Sequence, residues 1–117
     1  MKEHYEVLAE LIESGYASQI ELRYNSNGLD WEPHLFDLWS KFRQVIFHFS
    51  IDSYGDINHF IRWPSPWRKV QRQLRELDSY PHGNLRLTTA TTVTILSLYY
   101  LPDFIGWKVN QDWKLLN

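Results

Sequence analysis

The segment Val45-Ile46-Phe47-His48-Phe49-Ser50-Ile51-Asp52 decides the fold class of this chain. Its first five residues are almost continuously apolar or aromatic, which is typical of a strand covered on both faces in a parallel sheet. Polar side chains enter only toward the carboxyl end, at Ser50 and Asp52. The segment therefore predicts a buried strand over 45–52, and the following Tyr54-Gly55-Asp56 predicts a turn.

Two more segments have strand patterns, and predicted helices separate all three strands. Residues 19–25 alternate apolar and polar side chains, and residues 85–93 are rich in Thr and β-branched residues. Apolar side chains three or four residues apart predict helices over 4–14, 33–42, 65–77 and 101–107, with Gly15 ending the first. Strands that alternate with helices imply right-handed crossovers. The predicted fold class is therefore α/β, a parallel sheet with alternating helices.

Length and composition limit the classes of protein to consider. The chain has 117 residues, 44% of them hydrophobic, and it contains no linker-like or repetitive stretch, so one domain over 1–117 is expected. No cysteine is present, which excludes disulfides and thiolate-ligated metal within this chain. No apolar run approaches the roughly 20 residues of a membrane helix, and the amino terminus does not resemble a signal peptide. A cytoplasmic protein without a membrane segment is expected.

Charge is divided unevenly along the chain. Residues 1–60 carry four basic and ten acidic residues, whereas residues 61–117 carry eight basic and four acidic ones. Four of the basic residues, Arg68, Lys69, Arg72 and Arg75, lie in the predicted basic helix 66–78. Such a cluster is either a solvated helix face or a phosphate-binding surface. The overall net charge of −2 and the spread of these residues around the helix argue against nucleic acid.

Candidate site residues follow the predicted strands, because parallel α/β folds bind ligands beyond the carboxyl ends of their strands. The first strand runs into Asn25-Ser26-Asn27-Gly28 and the second into Ser50-Ile51-Asp52-Ser53. Both sequences are also common turn formers, so a cleft and a plain pair of turns remain open. His48 shares a strand face with Ser50 and either lines the cleft or forms a hydrogen bond in the core. No spacing predicts a metal site, a phosphate loop or a catalytic residue.

These segments, in this order and spacing, resemble the middle of a radical S-adenosylmethionine (SAM) enzyme. The similarity rests on Tyr24-Asn25-Ser26-Asn27-Gly28, Phe49-Ser50-Ile51-Asp52-Ser53, the stretch Asn58 to Arg62, and the stripe Val70, Leu74, Leu77. It is closest to the group with a C-terminal SPASM or twitch domain, and Thr92 to Leu96 is similar to that group's fifth strand. The resemblance implies strands three to five of a partial (β/α)6 barrel.

The resemblance also implies roles for four residues. Ser50 is expected at the ribose or methionine end of SAM, Arg62 at the methionine carboxylate, and Asn27 and Asp52 on the floor of the cleft. The sequence departs from the pattern at Ser26, where Thr is usual, and at Ser53, where Gly is usual. The three-cysteine motif that holds the family's [4Fe-4S] cluster is missing. SAM binding is therefore expected to be weak or lost, and the chain is not expected to be catalytic alone.

Three functions remain open at this point. The first is a fragment or degenerate member of a radical SAM enzyme, whose partner is the missing remainder of a split enzyme or a second copy joined through open sheet edges. The second is an interaction or inhibitor domain of the immunity type, which small size and six Trp residues favour. The third is a nucleic-acid-binding module that uses the basic helix. The sequence predicts no role for residues 108–117.

Overall fold

A three-stranded parallel sheet forms one layer of the protein. The structure is a computed structural model, and it describes residues 2–28 and 30–116. Strand β1 is Glu21–Ser26, β2 is Gln44–Ser50 and β3 is Leu85–Ala90. The order across the sheet is β1-β2-β3, and both neighbouring pairs are parallel. The predicted α/β class with a parallel sheet is therefore confirmed. The strands also follow one another in chain order, as they do in a (β/α) barrel.

Six α-helices connect and flank these strands in the described part of the chain. They are α1 Lys2–Glu13, α2 Leu35–Trp39, α3 Gly55–Ile61, α4 Trp67–Asp78, α5 Ile95–Leu98 and α6 Leu101–Val109. Gly15 follows α1 with a φ of 81°, which agrees with the predicted end of the first helix. Across residues 2–28 and 30–116, no helix combines the length and the apolar character needed to cross a membrane.

The hydrophobic core lies between the helices and one face of the sheet. Alternate residues of β2 point into it, namely Val45, Phe47 and Phe49, and all three are fully buried. Helices cover them with Trp39 from α2 and Leu74 and Leu77 from α4, and β3 adds Leu85 and Leu87. Each such side chain contributes about 1.5–3 kcal/mol through burial. The periodic apolar residues of the sequence therefore hold the helix layer on the sheet.

The opposite face of the sheet is polar. Its rows in register are Arg23, Ile46, Arg86 and then Asn25, His48, Thr88. Ile46 is buried but does not belong to the core cluster, and it lies in register between two arginines whose aliphatic stems can cover it. The prediction of a strand covered on both faces is therefore met only in part: Ile46 is buried on this face, but the core cluster packs on the other.

The ends of the second and third strands differ from prediction. β2 stops at Ser50 and β3 stops at Ala90, so the predicted ends at Asp52 and Val93 are too late. Beyond β3, the Thr94 hydroxyl accepts a hydrogen bond from the Ser97 N–H at 3.3 Å, and Ser97 Oγ accepts one from the Thr94 N–H at 2.9 Å. This capping box begins α5. Thr94, whose type favours strands by propensity, here starts a helix through its hydroxyl group.

Two helices also differ from prediction. α3 begins at Gly55, where the sequence predicts a turn, and Gly55 has a φ of 63°, a conformation that favours glycine. The predicted helix over 33–42 is confined to Leu35–Trp39. It ends early because the N–H groups of Lys41 and Phe42 bond to carbonyls three residues back, which tightens the chain into turns.

The tail after α6 folds back onto the sheet. Asp78, at the end of α4, is 5% exposed and accepts hydrogen bonds from the backbone N–H groups of Lys114, Leu115 and Leu116. Leu116 in turn forms a parallel bridge with Leu87 on the outer edge of β3. Residues 108–116 therefore pack against the body of the protein, and part of one sheet edge is covered.

Candidate functional site

The polar residues after β2 lie at the carboxyl edge of the sheet. Ser50 is half-buried at the end of β2 and pairs in register with Ala90 of β3. The two strands stay joined beyond their ends, since the Ile51 N–H bonds to the Ala90 carbonyl at 3.0 Å and Thr91 Oγ1 donates to the Ile51 carbonyl at 2.6 Å. This places Asp52 and the residues after it directly beside the end of β3.

Asp52 and Arg62 form an ion pair at this edge, in which Asp52 is buried and Arg62 is half-buried. Asp52 is 5% exposed, its Oδ1 accepts from Arg62 Nη2 at 3.1 Å, and its Oδ2 lies 2.8 Å from Arg62 Nε. Oδ1 also accepts from the Thr92 N–H at 2.9 Å, which ties the segment after β3 to the same carboxylate. The opposite charges of the two side chains therefore neutralise each other, and Asp52 lies against both Nη2 and Nε of Arg62, the edge that would bind another carboxylate.

Asn58 of α3 closes the turn between β2 and α3. Its side chain is fully buried, and its Oδ1 accepts hydrogen bonds from the N–H groups of Asp52 at 3.0 Å and Ser53 at 3.3 Å. Asn58 and Arg62 are four residues apart, so both project from the same side of the helix and its end. Ser53 and Asn58 are not among the four residues that the sequence predicts for the site. A helix assignment at 55–61 would have placed Asn58 beside the turn.

Three donors in this cluster are buried without a hydrogen-bond acceptor among the described residues. They are Ser53 Oγ, Asn58 Nδ2 and Arg62 Nε. Arg62 Nε lies close to Asp52, but its N–H is not directed along that contact. Buried polar groups in folded proteins almost always have a partner. The cluster is therefore a place where an additional hydrogen-bond acceptor, from water or from a ligand, would be stabilised.

Asn27 and His48 lie apart from this cluster. Asn27 lines a cavity of about 100 Å³ together with Gly28, Ser65 and Gln73, and it has no hydrogen bond to the Asp52 cluster among the described residues. His48 forms a hydrogen bond with Thr88 on the polar face of the sheet, one row before Ser50. Of the four predicted residues, the structure brings Asp52 and Arg62 into direct contact, while Ser50 lies at the end of β2 without a hydrogen bond to either of them among the described residues. It does not add Asn27 to them.

Burial shifts the pKa of two groups on the helix-covered side of the sheet. The Tyr24 hydroxyl lies 3.0 Å from His4 Nε2 and accepts from Trp39 Nε1 at 3.0 Å. Burial raises the pKa of Tyr24, and burial also lowers the pKa of His4. Tyr24 belongs to the residues packed against the core, so these groups stabilise the fold and do not belong to the carboxyl-edge cluster.

A third shift occurs near the end of β3. Lys108 Nζ donates to Thr89 Oγ1 at 2.8 Å, and burial lowers the pKa of Lys108. Thr89 follows Leu87 by two residues, so this contact lies on the helix-covered side of the sheet. It is separate from the polar face that carries His48.

Three of the four cations of the basic helix contact other residues of the chain. Lys69 Nζ lies 2.8 Å from Asp30, Arg72 Nε lies 3.8 Å from Glu76, and Arg75 donates to the Gln111 side chain at 2.6 Å. Arg75 also stacks over the Trp113 ring at 4.0 Å. Among these contacts only those of Arg75 are extensive, because the pairs of Lys69 and Arg72 are exposed and contribute little. The nucleic-acid interpretation therefore stays a prediction from the sequence.

Metal ligands do not gather anywhere in the described structure. Within residues 2–28 and 30–116, no three His, Asp or Glu side chains are close enough together to hold a metal ion. The candidate site therefore consists of hydroxyl, amide, carboxylate and guanidinium groups, which bind organic ligands through hydrogen bonds.

Comparisons of the chain with protein-family models, with curated proteins and with solved structures found no match. The resemblance to radical SAM enzymes therefore stays a prediction from the sequence.

Proposed function

We propose that this chain is a degenerate member of the radical SAM group, equivalent to the central strands of the partial barrel, that binds a SAM-like ligand weakly. The observation that supports this proposal is the Asp52–Arg62 pair, which follows Ser50 at the carboxyl edge of parallel strands in chain order. That edge is where α/β folds bind their ligands. The cluster also contains buried donors without acceptors, which a ligand's oxygen atoms would satisfy.

The same cluster explains why the affinity is expected to be low. Arg62 is the proposed partner of the methionine carboxylate, but Asp52 already accepts from its Nη2 and lies against its Nε. A ligand carboxylate must therefore use the remaining N–H groups of Arg62 or displace Asp52. Displacement would leave a buried carboxylate without its cation, which is costly. Ser50, half-buried and with no competing partner among the described residues, is the more accessible contact.

Radical chemistry is not part of this proposal. In the group that the chain resembles, SAM is cleaved on a [4Fe-4S] cluster that three closely spaced cysteines hold. The sequence has no cysteine, so its residues do not fit that cluster. The chain is proposed to bind, and any catalysis would require a partner that supplies the cluster.

An NMR titration of the ¹⁵N-labelled chain with SAM tests the proposal. We expect shifts of the backbone amides of 50–54 and 91–92, with a Kd of about 1 mM, near 4 kcal/mol of binding free energy. Ser50→Ala should weaken binding at least threefold. Ser18→Ala, an exposed serine before the amino end of β1, is the matched control and should bind like the wild type. Amides at 50–54 that do not respond to SAM, or equal affinity of the two variants, would refute the proposal.

A second candidate, an interaction domain, is favoured by apolar side chains on α3, α5 and the residues between helices. Phe60 is 71% exposed, Trp63 74%, Ile95 93% and Tyr99 81%. Phe60 and Leu96 line one shallow cavity of about 310 Å³, so α3 and α5 share an apolar surface. Such surfaces in folded proteins commonly mark sites of association.

Sedimentation velocity over a range of concentrations tests whether this surface joins two copies. If it does, the wild type should form a dimer that Phe60→Glu abolishes. Val7→Glu, which changes an exposed valine on α1, should leave the dimer intact. A wild type that stays monomeric at every concentration would contradict self-association.

A further inference from the structure

We infer a second binding site, for a planar aromatic anion, in a groove between the loop before α2 and the outer surface of α4. The groove has a volume of about 640 Å³, which is within the range of small-molecule sites. One side consists of Trp31, Pro33 and Phe36, and the other of Arg72, Arg75 and Glu76. None of these residues belongs to the carboxyl-edge cluster, so the inference is independent of the proposed function.

The aromatic side of the groove is backed by the core. The Trp31 and Phe36 rings lie 6.3 Å apart between centroids and are inclined by 35°. Phe36 stacks on Trp39 at 5.6 Å and meets Tyr80 edge-on at 5.2 Å, and both of these residues are buried. Because the backing is packed, this wall has little freedom to close on itself. A flat ring that covers it would bury apolar surface at a small entropic cost.

The opposite side supplies one exchangeable cation. The Arg72 side chain is 68% exposed, and its Nε lies 3.8 Å from Glu76 in an i, i+4 pair. Exposed pairs of this kind contribute little, so Arg72 can leave Glu76 for a ligand anion at low cost. Arg75 differs, because it donates to Gln111 and to the Asp112 carbonyl and stacks on Trp113. Arg75 therefore contributes positive charge to the groove without moving.

The aromatic wall and the arginines opposite it together define the chemistry of the ligand. The apolar wall selects a flat ring. The lining of the groove contributes two guanidinium groups and one carboxylate, and the Asp30 carboxylate lies on the adjoining side of Arg72. The groove therefore suits a ring that carries a negative group within one side chain's reach, whether a carboxylate or a phosphate. An aromatic acid and a nucleoside monophosphate share this chemistry.

Titrations followed by ¹H–¹⁵N NMR, including the indole N–H signals, test the inference. The probes are indole-3-acetate, its neutral analogue indole-3-ethanol, acetate, and AMP. We expect indole-3-acetate or AMP to bind with a Kd of about 1 mM or tighter and to shift the Trp31 indole signal. Indole-3-ethanol should bind about tenfold more weakly, because it cannot pair with Arg72. The tighter of the two anions identifies the ligand as a carboxylate or as a phosphate.

Two matched variants locate the binding energy. Arg72→Gln should weaken the binding of the anion about tenfold and leave that of indole-3-ethanol unchanged. Arg68→Gln changes an exposed arginine of the same helix that does not line the groove, and it should bind like the wild type. Equal binding of the charged and neutral probes, equal losses in the two variants, or no response of the Trp31 signal to any probe would overturn the inference.

Discussion

Replacing Asp78 with alanine should release the tail of the chain from the sheet. Asp78 Oδ1 accepts from the N–H groups of Lys114 at 3.1 Å, Leu115 at 2.7 Å and Leu116 at 3.0 Å. Its Oδ2 accepts a further hydrogen bond from the Lys114 N–H at 2.8 Å. Asp78→Ala removes the acceptor for three consecutive donors, one of which belongs to the buried Leu116.

The loss in the free energy of unfolding caused by Asp78→Ala has an upper and a lower limit. A hydrogen bond to a charged acceptor contributes about 1.5–3 kcal/mol, so three donors left in place would cost about 4.5–9 kcal/mol. The tail can instead detach, and the loss is then the burial of Leu116, about 1.5–3 kcal/mol, together with the partial burial of Trp113. We therefore expect Asp78→Ala to lower the free energy of unfolding by about 3–5 kcal/mol.

Urea denaturation followed by tryptophan fluorescence measures this loss. With a slope of about 1.5 kcal/mol per molar urea, the expected loss lowers the midpoint by about 2 M or more. Asp78→Asn keeps one oxygen and should lose about half as much. Asp112→Ala, which removes an exposed tail carboxylate, should stay within about 0.5 kcal/mol of the wild type. An Asp78→Ala variant as stable as Asp112→Ala would show that the carboxylate does not hold the tail.

Three further predictions concern other buried polar groups. Burial raises the pKa of Tyr80 to about 12, so its contribution to stability is full below about pH 10 and is lost as the pH rises toward 12. Tyr80→Phe should flatten that part of the stability curve relative to the wild type, and identical curves would contradict this cause. Arg62→Ala should lower the free energy of unfolding by about 3 kcal/mol, because Asp52 loses its cation, and adding Asp52→Asn should restore part of that stability. If the losses of the two single variants simply add in the double variant, Arg62 and Asp52 are not coupled. Asn58→Ala should lower the free energy of unfolding by about 2–4 kcal/mol and speed hydrogen exchange of the Asp52 and Ser53 amides, whereas Asn58→Asp keeps the acceptor oxygen. Equal exchange rates in the two variants would contradict the role of the Asn58 oxygen as acceptor for these amides.

Local patterns were enough to predict the layers of the fold. The apolar run over 45–49 and the alternation over 19–25 predicted two neighbouring strands, which the structure pairs in parallel. The stripe of Val70, Leu74 and Leu77 predicted the face of α4 that is buried. These patterns are reliable because burial of one face forces a period of about two or about 3.6 residues on any strand or helix.

The candidate site could be predicted only in part. Ser50 and Asp52 are adjacent to the end of a strand, so the sequence alone indicates that they reach the carboxyl edge. That Arg62 pairs with Asp52 depends on α3, which brings the chain back after one short helix. The sequence did not predict α3, because its first residue is a glycine in a segment typical of a turn and its fully buried residue is the polar Asn58.

Partnerships between distant residues were decided by packing in three dimensions. Asp78 meets backbone groups of 114–116, Arg75 reaches Trp113, and Thr92 reaches Asp52, each across more than 30 positions of the chain. The polar face of the sheet is decided in the same way, because an apolar run cannot show whether one or two layers cover it. The periodicity of a sequence records whether a side chain is buried, whereas the identity of its partner depends on how helices and strands are arranged around it.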